Sequence, residues 1–141
     1  MVRRWNAAVT PDDEVWHLGD VMRTRDPAEI EACLGPLNGQ KRLVVGNNDH
    51  DAVVAWPGWV STTPYAEIVQ DGVRLVLCHY PFRTWNGMGR GSINLHGHSH
   101  GRLKPIPRQH DVGVDVRAFR PVTLAELLAS SSTGSRKADQ A

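Results

Sequence analysis

Hydrophobic positions along this chain change their period several times, and each change marks an element. Val2, Trp5 and Val9 recur about one helical turn apart, which predicts an amphipathic helix at the start. "TPDDE" (10–14) turns the chain, and "VWHLGD" (15–20) has the pattern of a short buried strand ending in Gly-Asp. Asp26 before Pro27 is an N-cap followed by a first-turn proline, opening a helix through Leu34. "KRLVV" (41–45) is a β-branched strand that stops at "GNND" (46–49). "YAEIVQ" and "VRLVLC" flank Asp71-Gly72, the two-residue signature of a hairpin. "INLHG" (93–97) and "DVGVDV" (111–116) predict two more strands, and Thr123 with Glu126 forms a capping box for "LAELLA".

Strands alternate with helices early and pair as a hairpin later, so the pattern predicts a layered α/β domain with a mixed sheet over residues 1–129. "SSSTGSRKADQA" (130–141) is a polar low-complexity tail and is expected to be disordered. There is no internal repeat.

Composition narrows the class. The 40% hydrophobic and 22% charged fractions are those of an ordinary globular protein. A net charge of +1 gives no overall basic field for nucleic acid or an anionic membrane. Cys33 and Cys78 form no CxxC pair, which suits a reducing compartment. No apolar run approaches the roughly 20 residues that span a bilayer, and "MVRRWNAAVT" lacks the apolar core of a signal peptide. The expected location is the cytoplasm.

The chemistry lies at the ends of strands. Asp20, Asn47, His79 and His98 each sit at or just past a strand's carboxyl end, with His100 two residues further on. Ligands of open α/β sheets bind beyond those ends, so residues dispersed in sequence can converge there. Imidazole, carboxylate and amide oxygen together suit Mn, Fe, Zn, Co or Ni, and the absence of thiolates argues against a structural zinc finger. Singly, Asp20 could cap a helix, Asn47 could occupy a turn and His79 could be a core histidine. Jointly, they make a metal site the better reading. His17, within a strand, and His96, before Gly97, read as structural, and His110 has no partner visible in sequence.

Four motifs, "GD" (19–20), "GNND" (46–49), the lone His79 in "CHYP" and "GHSH" (97–100), resemble in order and placement the calcineurin-like metallophosphoesterase superfamily, over about residues 14–116. The flanking text "WNAAVTPDDEVWHLGD" and "HYPF…INLHGHSHG" resembles a small bacterial and phage branch of phosphohydrolases. The resemblance implies an α/β/β/α sandwich and hydrolysis of a phosphate mono- or diester by a metal-activated water at a dinuclear site. Asp20 would bridge the two ions. Asn47, His79 and His98 would complete one shell, and His100 would belong to the other.

Two departures from the family pattern stand out. The family's opening Asp-x-His block is absent, so the first ion would keep only Asp20 and His100, and one retained ion with impaired activity is expected. The strand that carries that block would be missing too, leaving a raw sheet edge open to pairing with another copy. Asn48 stands where the family carries a histidine that assists the leaving group. An amide there can hydrogen-bond a phosphate oxygen but is no general acid near neutral pH. Asp49 and His50 in the same block are further catalytic candidates. Arg83 and Arg102 are candidate phosphate contacts, since a guanidinium matches phosphate in a bidentate way. Arg90 reads as a solubility residue, and Trp85 could stack on a base or shield its loop. The expected substrate is a small phosphate ester or nucleotide-like molecule, with neither nucleic acid nor membrane as partner. The alternative is a non-catalytic remnant of the fold that binds at most one metal. A metallo-β-lactamase-type hydrolase also has His-x-His, but it would need Asp-His after it, and here Gly101 follows His100.

Overall fold

The computed structural model describes residues 2–117 and 120–129. The expected tail over 130–141 lies outside these residues. The opening helix, α1 (Val2–Ala8), turns Trp5 into a buried cluster with Val9, Val15, Ile30, Leu34 and Leu37. The strand β1 (Glu14–His17) follows, then α2 (Pro27–Leu34), whose Asp26 cap accepts the Ala28 N–H at 3.0 Å. The strand β2 (Gln40–Val44) leads into a single turn of helix, α3 (Asp51–Val54), and the short β3 (Ser61–Thr63).

β1, β2 and β3 form a parallel sheet in that order. The second sheet starts with the Asp71-Gly72 hairpin, β4 (Tyr65–Gln70) against β5 (Val73–Cys78), and continues with β6 (Ile93–His96) and β7 (Gln109–Asp111), both parallel to β5. The protein is therefore α/β with parallel and antiparallel pairings combined.

Two expectations shift. The strand expected over 111–116 ends at Asp111, and Val114–Val116 form a 3₁₀ turn instead. Asp111 Oδ1 accepts the Gly113 N–H at 2.9 Å, which turns the chain off the sheet before the apolar alternation can be used. The capping box is half formed. Thr123 Oγ1 accepts the Glu126 N–H at 3.2 Å, but the Glu126 carboxylate pairs with Arg120 at 3.0 Å rather than reaching back. The helix over 124–129 nonetheless buries Leu124 and Leu127.

Alternation along the strands sorts their side chains between two cores. Val15 faces the helices and joins the cluster around Trp5 and Ile30. Leu18 and Val44 face the other way and pack with Leu75, Leu77, Ile93 and Leu95 of the second sheet. The sheets thus share a core, and their strand ends share a rim. β1 and β3 are the edge strands of the first sheet. A cleft of about 870 Å³ lies beside β1, walled by Val9, Val15 and Leu34 on one side and by Leu75, Leu77 and Leu95 on the other.

His110 on β7 is half-buried, and burial first, then Arg117 and His96, lowers its pKa from the usual 6.5. A histidine with a lowered folded pKa takes its proton more readily in the unfolded chain. Its contribution to stability is thus intact above the unfolded value and is lost as pH falls from there toward the folded one. The urea midpoint of the wild type should fall as pH is lowered through about 6.5, and His110→Gln should flatten part of that slope. Parallel pH profiles for the two proteins would show His110 to be irrelevant.

Candidate metal centre

Two glycines let the ends of β1 and β2 touch. Gly19 has φ +94°, and a Cβ there would come within 2.6 Å of Gly46 N and 2.7 Å of His79 Nδ1. At Gly46 a Cβ would meet Asp20 N and Oδ1 at 2.5 Å. Neither position has room for a side chain. Each glycine is followed directly by a predicted ligand, Asp20 and Asn47.

His79 joins them from the second sheet. Its Nδ1–H donates to the Leu18 carbonyl at 2.7 Å, which turns Nε2 inward. Around Nε2 stand Asn47 Oδ1 at 2.8 Å, His98 Nδ1 at 3.2 Å and Asp20 Oδ2 at 3.4 Å. His98 Nδ1 is also 3.2 Å from Asn47 Oδ1. Ligand atoms of Asp20, His79 and His98 all lie within 4.8 Å of one another. The cluster holds a carboxylate oxygen, an amide oxygen and two imidazole nitrogens, a donor set that fits a divalent ion of the borderline class. The Nδ1–H to carbonyl bond of His79 is also the arrangement that orients metal-ligating histidines.

His100 is not one of the three residues of that group, Asp20, His79 and His98. It is exposed and lines the same cleft as Asp20 and His98, outside the four-atom cluster. Among the described residues, five non-glycine positions have positive φ, and three of them are Asp20 (53°), His98 (62°) and His100 (50°). Left-handed backbone at non-glycine residues is costly and gathers at functional sites.

The "GNND" block divides its work differently from the sequence expectation. Asn48 donates from its backbone N–H and its Nδ2 to the two carboxylate oxygens of Asp20, at 2.7 and 3.0 Å, so its amide orients Asp20. Asp49 accepts the N–H groups of Asp20, Val21 and Gly46 at 2.9, 2.8 and 2.8 Å. Both oxygens of its carboxylate are engaged with backbone. His50 begins α3 with extended backbone and makes no side-chain cap bond. Sequence reading gave no hint that Asp49 would hold two loops together, because nothing in the residue pattern shows which amides lack partners.

The remaining candidates separate by burial. Arg83 and Arg102 are both exposed, and the Arg102 N–H donates to the Ser99 carbonyl at 2.9 Å within the "GHSH" turn. Trp85 is buried and donates its Nε1–H to the Ser92 carbonyl at 3.2 Å, which resolves its role as shielding the loop. His96 is buried, with Nδ1 2.8 Å from the Gly97 carbonyl. His17 is half-buried beside the centre. Its Nδ1 accepts the Gly19 N–H at 3.2 Å, and its ring meets Trp59 edge-on at 6.5 Å. Burial lowers its pKa and the neighbouring His79 adds to this, while Asp49 and Asp20 oppose it. Sequence reading made His17 structural without seeing how close to the centre β1 carries it.

Comparison with known proteins gives relatives rather than an activity. No family model matches the chain. The crystal structure of a protein of unknown function from Aquifex aeolicus superposes with a TM-score of 0.65 at 20% identity, covering 89% of this chain and 80% of that one. An uncharacterized protein of Methanocaldococcus jannaschii is 26% identical over 88% of this chain and 69% of its own length. The Gene 66 protein of Mycobacterium phage L5 is 29% identical, covering 82% of this chain and 72% of the relative. For the Gene 66 protein of Mycobacterium phage D29 the identity is 32%, over 79% of this chain and 71% of the relative. At that identity and coverage, the chain belongs to the family of the mycobacteriophage Gene 66 proteins.

Proposed function

We propose that the protein is a metal-dependent phosphoesterase with a calcineurin-like metallophosphoesterase sandwich, acting in the cytoplasm. The observation that carries this reading is the convergence of Asp20 Oδ2, Asn47 Oδ1, His79 Nε2 and His98 Nδ1. Asp20, Asn47, His79 and His98 would hold a divalent cation, which would supply positive charge toward a phosphate oxygen and lower the pKa of a bound water. Hydrolysis then adds one water across one ester bond. The water oxygen forms the new bond to phosphorus, and the ester oxygen departs and takes up a proton. Asn48 holds the Asp20 carboxylate in place, and Arg83 and Arg102 are the candidate contacts for phosphate oxygens. With an amide at position 48, that position supplies no general acid, which favours diesters and other esters with good leaving groups.

The position of His100 outside the cluster favours one well-held ion, with a second held weakly by Asp20 and His100. Titration calorimetry with Mn²⁺ or Zn²⁺ should approach a single equivalent. His98→Ala should weaken binding by at least about tenfold, since it removes one of four ligands, and His100→Ala should weaken it far less. Equal losses would replace this partition with one shared histidine site. Gly46→Ala should also weaken binding, because its Cβ would displace the Asp20 carboxylate. An unchanged affinity in a folded Gly46→Ala protein would show that the close loop contact is dispensable.

Activity is tested with bis(4-nitrophenyl) phosphate and Mn²⁺. Turnover should be abolished by a chelator and lost in His79→Ala while the fold persists by circular dichroism. Metal binding without any turnover of this diester would favour the non-catalytic alternative.

A further inference from the structure

The net charge of +1 conceals an uneven distribution. Residues 72–110 contain six Lys or Arg (Arg74, Arg83, Arg90, Arg102, Lys104 and Arg108) and no Asp or Glu. The rest of the chain has ten basic against fifteen acidic residues. The acid-free segment also holds His79, His98 and His100, and all six of its cations belong to exposed residues.

The fold brings parts of this segment together. The Arg108 guanidinium donates to the Met88 carbonyl at 2.8 Å, tying the 101–108 loop to the loop that carries Arg90. Gln109 Nε2 donates to the Phe82 carbonyl at 2.6 Å, and the Phe82 N–H donates to Asn94 Oδ1 at 3.2 Å, which anchors the residues around Arg83 to the second sheet. The nearby Glu67 is already engaged by Asn86 Nδ2 at 2.7 Å and by Arg74 at 3.8 Å.

Aromatic rings line the same strand ends. Tyr80 is 44% exposed, with its ring 5.0 Å from that of His79 and 4.9 Å from that of His98. Tyr65 is 40% exposed, pairs in register with Cys78 and sits 6.0 Å from the Phe82 ring. Exposed aromatic faces beside a run of cations are the elements with which proteins hold single strands. Bases stack on the rings while the cations follow the phosphates.

We propose that the substrate is single-stranded nucleic acid, bound with its bases against Tyr80 and Tyr65 and its backbone along the cations of residues 83–108. This rests on the phosphodiester reading above and replaces the expectation of a small ester without nucleic-acid contact. A small substrate would need one or two of these cations, whereas the successive phosphates of a strand can use several.

The test is fluorescence anisotropy of a labelled oligothymidylate about 20 nucleotides long, with the full chain in chelator-containing buffer. Binding should weaken by about 20-fold between roughly 50 and 200 mM salt if three phosphates are neutralised. Tyr80→Ala should cost about tenfold and Tyr80→Phe should restore it, since the ring and not the hydroxyl stacks. Arg90→Glu with Lys104→Glu should lower the ratio of oligonucleotide to bis(4-nitrophenyl) phosphate turnover in Mn²⁺. No binding at low salt overturns the proposal, and so does binding of heparin or duplex DNA equal to that of the single strand and indifferent to Tyr80→Ala. Turnover of the small diester without strand binding would sink the substrate assignment and leave the phosphodiesterase reading standing. Strand binding with neither compound cleaved would overturn both.

Discussion

The carboxylate of Asp49 holds the strand-end loops of the first sheet together. It accepts N–H groups from Asp20 and Val21 on one loop and from Gly46 on the other, at 2.8–2.9 Å. Bonds to a charged acceptor are worth about 1.5–3 kcal/mol each, enough to fix the two segments against each other. Asp20 is thereby presented at a fixed height, and Asn48 then sets the direction of its carboxylate. From the second sheet, His79 is fixed to the same rim by its Nδ1–H bond to the Leu18 carbonyl. The contacts among Asp20, Asn47 and His79 follow from these few attachments.

Much of this was legible in the residues. Asp20, Asn47, His79 and His98 span 78 positions of sequence, yet each follows an apolar run whose pattern marks a strand. Their placement needed only the rule that parallel strands present their carboxyl ends on one side. Elements without a hydrophobic signature were not legible. β3 is "STT", three polar residues held by register with Arg42, Leu43 and Val44 rather than by burial of their own. α3 is four residues long, too short for a helical period to show. Asn48 could be recognised as a departure, but its attachment to Asp20 depends on a backbone path that pairwise spacing does not encode. His17 was hidden for the same reason, since a strand places it beside residues 32 and 62 positions away.

Charge was misleading in a different way. A whole-chain balance near zero is compatible with segregation, and here the cations of the acid-free segment that carries His79, His98 and His100 are all exposed, while seven of the fifteen acids lie between residues 12 and 31. Net charge describes long-range fields, whereas an extended ligand meets the local row of cations. The two levels of description need not agree.

The backbone at the centre shows how the fold sustains an arrangement that local preference opposes. Left-handed conformations at Asp20, His98 and His100 cost on the order of 1–3 kcal/mol each and persist only where surrounding bonds leave no alternative. For Asp20 those bonds come from Asp49 and Asn48. For the "GHSH" turn they come from Ser99 N–H to the Gly97 carbonyl, Arg102 N–H to the Ser99 carbonyl, and Gly101 N–H to Asp111 Oδ2 at 2.8 Å. Asp111 thus serves the second sheet's loop much as Asp49 serves the first sheet's. Each sheet holds its strained ligand turn with a carboxylate that accepts backbone N–H groups, and the ligand side chains are left to face one another. A turn chosen only for stability would place glycine at these φ values. The presence of Asp20 and His98 there, in turns held by dedicated acceptors, ties their strain to the cluster their side chains help to form.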